Sequence, residues 1–216
     1  MINMREEYRR CFQDKTGRYF IEHYLSTFNA DVVKETPFIL FPRQLAFLKS
    51  LQNNPNTIAI KHRQAGITTV SSAWATYKCV FADKKAPETI LCIGNKLDTS
   101  QQLIEKMGAF LDQVPRWMWG SDFYHPDPKN EKNNRSIYVA RNKQKLELFN
   151  GCKIYARSSG KHAARGISAV SILIFDEAAM IENGPEVYSQ AVACTATLGS
   201  KARIIMISTP KGKDQL

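Results

Sequence analysis

The most constraining feature of this sequence is an apolar run that leads into a glycine-containing loop and then into a helix-like stretch. The run 57–60 precedes Lys61, and the loop continues through Gly66 to the hydroxyl residue Thr68. The standard phosphate-binding pattern has two glycines, the second followed by Lys and then Ser or Thr. Here Ile67 stands at the lysine position, and Lys61 stands at the position of the first glycine. Either the loop has lost phosphate binding, or its ammonium group now comes from Lys61.

A second apolar run, 171–175, ends in two carboxylates, Asp176 and Glu177. Such a run is typical of a central parallel strand, because helices cover both of its faces. We expect Asp176 to hold Mg²⁺ together with the hydroxyl of Thr68, since Mg²⁺ uses few protein ligands. We expect Glu177 to polarise the water that attacks the γ-phosphate of a nucleotide. The alternative is an acidic helix start, and the glycine loop upstream favours the metal and catalytic roles.

Five segments carry recognisable motifs in a fixed order: Phe41-Pro42-Arg43-Gln44, the loop 61–69, Gly94-Asn95-Lys96, the strand with its acids at 172–178, and Ile207-Ser208-Thr209-Pro210. In that order they resemble the adenine-recognising Q motif, the phosphate loop, the N-K segment, the D-E-A box and the S-T-P coupling motif of one family. That family is the ATPase domain of the large terminase subunit, the motor that packages DNA into tailed-phage heads. Some members carry a displaced loop lysine, and Lys61 is similar to that variant.

From these residues and the resemblance we expect a site for ATP and Mg²⁺. The expected catalytic residues are Glu177, Arg165, Lys61 and Arg63. The expected nucleotide-binding residues are Arg43, Gln44, Gln64, Ala65, Gly66, Ile67, Thr68, Thr69, Ser208 and Thr209. The expected metal ligands are Thr68 and Asp176.

Most of these residues also have a plainer interpretation. Lys61 is either the phosphate lysine or a strand-end lysine in solvent, and Thr68 is either a metal ligand or a helix N-cap. Arg63 bridges phosphate oxygens or acts as a sensor, or else it forms a salt bridge to Glu177 or another acid. Thr209 senses the γ-phosphate or belongs to an ordinary turn.

Two residues take their roles mainly from the resemblance. Gln44 would pair with the edge of adenine, which a side-chain amide can do, although a lone Gln before a helix is weak support. Arg165 would reach the nucleotide of an adjacent subunit as an arginine finger, a group that raises hydrolysis about 10³–10⁵-fold. The alternative for Arg165 is a basic loop that binds DNA.

The net charge of +10 and the pI of about 9.4 favour a polyanionic partner, with a solvated basic surface as the alternative. The resemblance implies double-stranded DNA, the portal protein and the small terminase subunit as partners. It also implies a homo-oligomeric ring, a pentamer, in the host cytoplasm and transiently at the portal vertex of the procapsid. Five dispersed cysteines indicate reduced thiols. Without a long apolar run, no membrane association is expected.

The alternation of strand and helix patterns predicts an α/β fold with a doubly wound, mostly parallel sheet, and the resemblance makes it the P-loop NTPase (ASCE) type. We expect a helical N-terminal extension over 1–40 and a P-loop ATPase core over 41–216. Predicted strands are 57–61, 89–94, 146–149, 152–156, 171–176 and 203–208. Predicted helices are 45–51, 68–82, 99–112 and 186–197. An irregular excursion is expected over 115–145.

The function expected from the sequence is ATP hydrolysis that drives translocation of double-stranded DNA into the procapsid. No nuclease activity is expected from these residues, because the lid subdomain and the nuclease domain that terminases usually carry do not follow the S-T-P motif here. One alternative is a helicase-like, nucleic-acid-stimulated ATPase, since the acidic and S-T-P boxes resemble that group too. A second alternative is a non-catalytic nucleotide- or DNA-binding module, for which Ile67 is the argument.

Overall fold

The computed structural model describes residues 3–29, 34–160 and 163–210. Its α-helices are α1 (Met4–Gln13), α2 (Arg18–Tyr24), α3 (Pro42–Asn53), α4 (Ile67–Val80), α5 (Leu97–Gln113) and α6 (Gly184–Ala193). Its strands are β1 (Ser26–Asn29), β2 (Lys34–Pro37), β3 (Asn56–Ile60), β4 (Thr89–Gly94), β5 (Tyr138–Asn142), β6 (Lys145–Leu148), β7 (Lys153–Ser158), β8 (Ile172–Asp176) and β9 (Arg203–Ser208). No helix in these ranges is long and apolar enough to cross a membrane.

Seven strands form one sheet in the order β3-β9-β8-β4-β7-β6-β5. Neighbours from β3 to β7 pair in parallel, while β6 and β5 are added antiparallel at the far edge. Strand β9 lies between β3, which leads into the glycine loop, and β8, which ends in the acids. The predicted α/β fold with a mostly parallel sheet is confirmed.

The central strands are buried on both faces, which explains their continuous apolar runs. Alternate residues of β4 and β8, such as Cys92 and Ile174, face α4 and α5 in the larger core. The residues between them, such as Leu91 and Leu173, face α6 in a smaller core. Helices on opposite faces of one sheet make the predicted double winding.

The N-terminal extension is helical at first and packs on the core. Cys11 of α1 and Phe20 of α2 are fully buried in the same cluster as α4. The antiparallel hairpin β1–β2, which the sequence did not predict, then follows. The extension therefore adds a layer over the face of the sheet that α4 covers.

The excursion predicted for 115–145 is irregular only in its first part. Short 3₁₀ turns occupy Arg116–Trp119 and Glu131–Asn134, but β5 then pairs with β6. The prediction missed β5 because its side chains are mostly exposed, with no apolar alternation to reveal a strand. This correction matters because the β5–β6 hairpin reaches the carboxyl edge of the sheet.

Candidate nucleotide site at the carboxyl edge of the sheet

Three parallel strands deliver the candidate site residues to one edge of the sheet. Lys61 follows β3, Asp176 ends β8 with Glu177 directly after it, and Ser208 ends β9 between them. The parallel register pairs Ile60 with Ser208, so the three strand ends lie level. Parallel sheets bind ligands at this edge because the strand ends and the loops after them converge there.

Lys61 and Glu177 form an ion pair, with the ammonium nitrogen 3.0 Å from Oε1 of the carboxylate. The Lys61 side chain is only 10 % exposed, so it does not extend into solvent. Thr209 donates its backbone N–H (3.2 Å) and its hydroxyl (2.9 Å) to the other carboxylate oxygen. Partial burial acts to raise the pKa of Glu177, but the hydrogen bonds from Lys61 and Thr209 outweigh it, so the pKa lies below its usual value.

The ion pair also decides between two interpretations of Arg63. Glu177 takes its cation from Lys61, whereas Arg63 is exposed and forms no ion pair with any carboxylate that the structure describes. A role on phosphate stays a prediction for Arg63.

The hydroxyl of Thr68 donates a hydrogen bond to Oδ1 of Asp176 over 3.2 Å. Burial raises the pKa of Asp176, although the Lys61 charge and the Thr68 hydrogen bond act in the opposite direction. Two oxygens on adjacent corners of a Mg²⁺ octahedron are roughly 2.9 Å apart at the usual bond lengths. The pair therefore fits Mg²⁺ as two cis ligands. No group of three or more His, Cys, Asp or Glu with metal-binding geometry occurs in the described ranges.

The glycine loop is positioned from below by Gln44. Its side-chain amide donates to the carbonyl of Ala65 (3.1 Å) and accepts from the backbone N–H of Phe41 (3.0 Å). Gly66 has φ +72°, and a Cβ there would lie 2.5 Å from the amide nitrogen of Gln44. Only glycine therefore fits at this position while Gln44 is in place. Pairing of Gln44 with adenine stays a prediction.

Helix α4 begins at Ile67, so Thr68 and Thr69 lie in its first turn. The N–H groups of this turn have no acceptor within the helix and carry its positive dipole end, which suits a phosphate. Ile67 itself packs into the core and is 7 % exposed. Its backbone can contact phosphate, whereas its side chain supports the helix.

A cleft of about 750 Å³ opens beside the loop, between β3 and α3. Phe41 and Ile60 line it and are largely exposed, and Arg43 is exposed at the same place. An apolar cleft of this size next to a phosphate site suits a nucleobase. Neither Phe41, which was noted only as part of the Q motif, nor Ile60 was predicted from the sequence to line a cleft. The sequence signal that could have identified them is an apolar side chain at a strand end or in a loop, where side chains are usually polar.

Two site residues other than glycine have left-handed backbone conformations, Gln64 (φ +64°) and Glu177 (φ +52°). This region costs such residues of order 1 kcal/mol or more, so the surrounding structure must hold them there. At Glu177 the bonds from Lys61 and Thr209 do so. The hydroxyl of Ser208 accepts from the N–H of Ala179 (3.0 Å), which fixes the turn after Glu177.

Arg165, like Arg63, takes no part in the described hydrogen bonds and ion pairs that join Lys61, Thr68 and Thr209 to the two acids. Its segment packs under α6, where Ala163 is buried and the Cys194 thiol lies 3.6 Å from the Ala164 carbonyl. The Arg165 side chain is exposed and forms no ion pair with a described carboxylate. Among the described residues, no hydrogen bond or ion pair joins Arg165 to the glycine loop or to the acids.

The chain matches known proteins along most of its length. The family model described as "Terminase large subunit, T4likevirus-type, N-terminal" matches residues 58–216. The crystal structure of the HK97 bacteriophage large terminase is similar, with a TM-score of 0.64 at 15 % identity, and the match covers 100 % of this chain and 39 % of that one. The ATPase domain of the Thermus phage P74-26 large terminase gives a TM-score of 0.54 at 20 % identity, covering 82 % of this chain and 67 % of that one. A mutant of that ATPase domain gives 0.54 at 21 %, covering 82 % and 68 %. The structural matches support the fold.

Proposed function

We infer, from the premise that this chain belongs to the T4-like terminase large subunit family, that it hydrolyses ATP and couples hydrolysis to movement of double-stranded DNA into a procapsid. The chain spans 39 % of the length of the HK97 large terminase, so the activity of a whole terminase goes beyond what these residues include. The chemistry proposed here belongs to the site between β3 and β8.

One observation carries the ATPase proposal. Two polar pairs, Thr68–Asp176 and Lys61–Glu177, bridge the gap between the loop side and the acid side of the site. Each pair joins a group suited to phosphate or Mg²⁺ to a carboxylate on β8. A site built only for structure has no need of a carboxylate kept buried at Asp176, because burial disfavours its charged form.

In the proposed mechanism, backbone N–H groups from Gln64 to Thr69 bind the phosphates at the start of α4. Thr68 and Asp176 hold Mg²⁺, which supplies positive charge to the phosphate oxygens when bound. Glu177 accepts a hydrogen bond from the attacking water and orients it toward the γ-phosphate. The apolar cleft beside the loop takes the base, with Arg43 at its rim.

In this mechanism Lys61 pairs with one of two anions, the carboxylate of Glu177 or the γ-phosphate. Without nucleotide its ammonium group pairs with Glu177. A bound γ-phosphate places more negative charge within reach of the same flexible side chain, and lysine acts as a mobile point charge. A shift of Lys61 toward phosphate frees one oxygen of Glu177 for water, while Thr209 continues to hold the other oxygen.

The remaining proposed roles involve partners. Arg165, which is exposed and forms no ion pair with a described carboxylate, acts on the nucleotide of a neighbouring subunit in a homo-oligomeric ring, a pentamer on the procapsid. Portal protein, small terminase subunit and double-stranded DNA are the partners proposed for the assembled motor in the host cytoplasm. Thr209 and Ser208 transmit the state of the γ-phosphate, since they connect Glu177 to β9.

The test compares Glu177→Gln with the parent chain in two assays. Binding of a fluorescent ATP analogue with Mg²⁺ measures the site, and phosphate release in the presence of portal and DNA measures the chemistry. We expect Glu177→Gln to keep nucleotide affinity within about twofold and to lose at least about 100-fold in hydrolysis, since general-base catalysis contributes roughly 10²–10⁴-fold. Glu182→Gln, an exposed glutamate in the next turn, is the matched control.

The outcomes separate the candidate functions. Equal hydrolysis by Glu177→Gln and the parent removes Glu177 from the mechanism. A parent chain that neither binds nor hydrolyses ATP favours the non-catalytic binding module. Hydrolysis that responds to nucleic acid but not to portal favours the helicase-like ATPase.

A further inference from the structure

The antiparallel hairpin β5–β6 forms a basic cleft that the nucleotide chemistry does not use. Its turn lies beside the carboxyl end of β7, where the N–H of Ala156 donates to the carbonyl of Gln144 over 2.9 Å. The cleft has a volume of about 560 Å³. The residues that line it are Asn142, Lys143, Gln144, Lys145, Tyr155 and Arg157. The lining includes three cations and no carboxylate.

The charge of this region is strongly one-sided. Between 138 and 158 the chain carries five basic residues and a single acid, Glu147. Glu147 is shared by Lys145 and Lys153, and Arg141 is engaged by Asp112 of α5. Lys143 and Arg157 form no ion pair with a carboxylate in the described ranges. Two of the three cations that line the cleft, Lys143 and Arg157, therefore carry positive charge that no carboxylate of the described residues neutralises, while Lys145 shares Glu147 with Lys153.

Two of the three cations, Lys145 and Arg157, lie on the sheet beside one tyrosine ring. Lys145 pairs with Tyr155 across the two strands, and its ammonium nitrogen lies 5.9 Å from the centre of the tyrosine ring. The guanidinium carbon of Arg157 lies 5.6 Å from the same ring centre. Cations beside an aromatic ring on paired strands lose less freedom on binding than lysines on a loose loop. This arrangement distinguishes the cleft from a generally basic surface.

The cleft shares an edge of the sheet with the nucleotide site but is separate from it. Strand β7 is two strands from β8 and four from β3. At about 4.8 Å per strand, the cleft is roughly 10 Å from the acids and 19 Å from the loop. Gly94 of β4 pairs with both Ser158 and Asp176, so a single strand connects the two places.

We propose that Lys143, Lys145 and Arg157 form a contact surface for the phosphate backbone of double-stranded DNA. This proposal rests on the proposed function, because that function identifies double-stranded DNA as the partner. Contacts from lysine and arginine to phosphate carry no sequence information, as a motor that moves any sequence requires. The surface faces the same side as the site where ATP is hydrolysed, at the opposite end of the sheet from Lys61.

The experiment measures binding of a fluorescein-labelled 30-base-pair duplex by anisotropy, across a series of KCl concentrations. The variant is Lys143→Gln, Lys145→Gln and Arg157→Gln together. The matched control is Lys49→Gln, Lys85→Gln and Lys129→Gln, which removes the same charge from three exposed lysines elsewhere. Each phosphate contact contributes about 0.9 to the slope of log affinity against log salt concentration. We expect the slope of the variant to fall by about 2–3 and its affinity at 0.1 M KCl to fall at least about tenfold.

The control and the binding of Mg²⁺ with a fluorescent ATP analogue should stay unchanged. Equal weakening in control and variant would show that only net charge matters and would overturn the proposal. No measurable duplex binding by the parent at low salt would also overturn it. Loss of single-stranded binding alone would assign the surface, with Tyr155, to unpaired bases instead. ATP hydrolysis by the parent is measured separately from duplex binding. Failure of the proposed function is therefore distinguishable from failure of this DNA-contact proposal.

Discussion

The ammonium nitrogen of Lys61 lies 3.0 Å from a carboxylate oxygen of Glu177, although 116 residues separate the two in the chain. This pair joins the loop that would bind phosphate to the residue that would activate water. The cation of the loop therefore lies on the side of the site where β3 ends. The usual position of the loop lysine, at the start of α4, is filled by the buried side chain of Ile67. Lys61, the candidate for a displaced phosphate lysine, therefore contacts one of the two acids directly.

The first prediction concerns the stability that this pair contributes. The pKa of Glu177 is lower in the folded chain than in the unfolded chain, where it is about 4.3. The ion pair therefore contributes its full stability above the unfolded pKa, and this contribution is lost as the pH falls through the lowered folded pKa. Replacing Lys61 with Met should cost about 1–2 kcal/mol at pH 7 and progressively less below about pH 4.5. Thermal melts from pH 3 to 7 measure the difference, with Lys49→Met as control. A difference that does not change with pH would contradict the ion pair as its source.

The second prediction concerns Asp176, whose pKa is raised by burial. A raised acid pKa means that stability falls as pH rises from the unfolded value, about 3.9, through the folded value, so the ionised group destabilises the metal-free fold at pH 7. Asp176→Asn keeps an oxygen that can accept from Thr68 and removes the charge. We expect the variant to melt higher than the parent without Mg²⁺ and ATP, and to gain no further stability when both are added. Thermal melts with and without the ligands check both parts. A variant that melts lower than the parent without ligand would contradict the role of burial.

The third prediction separates two roles of Gln44, bracing the loop and pairing with adenine. Bracing predicts that Gln44→Leu weakens binding of inorganic tripolyphosphate with Mg²⁺, a probe that has no base. Adenine pairing predicts instead that the variant loses the preference for ATP over purine riboside triphosphate, with tripolyphosphate unaffected. From the two amide bonds we expect weaker tripolyphosphate binding, by roughly fivefold or more for about 1 kcal/mol. Arg43→Leu, at the rim of the cleft, is the control.

A Gly66→Ala substitution adds an independent check on the same contact. Its Cβ would meet the Gln44 amide nitrogen at 2.5 Å, so the stability cost should fall when Gln44 is replaced by Ala in the same chain. The cost of the positive φ remains in both backgrounds. Strictly additive costs in this double-mutant cycle would place the two residues out of contact.

The fourth prediction tests whether Arg165 acts on a neighbouring subunit. Arg165→Ala and Glu177→Gln subunits are each expected to be inactive in assembled rings. If Arg165 acts in trans, mixing them restores part of the hydrolysis, because a Glu177→Gln subunit offers its arginine to a neighbour with an intact glutamate. Phosphate release against mixing ratio is the measurement, and Arg203→Ala serves as the control for loss of an arginine. No recovery at any ratio, with ring assembly intact, would assign Arg165 to its own subunit or to another role.

Local patterns predicted the parts of the fold that local sequence determines. The apolar runs before Lys61 and Asp176 identified the two key strands, because strands buried on both faces must be continuously apolar. Strand β5 was missed, since a strand with a mostly exposed surface, including Val139 at 68 % exposure, lacks that signal. The hairpin β1–β2 was missed for a similar reason, because β2 is mostly exposed.

The contacts within the site were harder to predict than its members. The residue types of Thr68, Asp176 and Glu177 were assigned from their motifs, but the partner of each depends on the strand order. That Lys61 rather than Arg63 pairs with Glu177 follows from the position of β3, which no local pattern contains. The bond from Gln44 to Ala65 likewise depends on how α3 packs under the loop.

The position of β9 between β3 and β8 has a mechanical consequence. Because the loop and the acids stand on strands that are not neighbours, their separation is set by the width of the strand between them, and side chains alone span that width. Thr209, at the end of this spacer, touches Glu177 directly. A change of a few tenths of an ångström in how β9 sits would therefore alter both bridges at once. The width of β9 therefore fixes the distance between the loop and the acids. Substitutions in its buried residues, such as Ile205 or Ile207, should change catalysis without touching a reacting group.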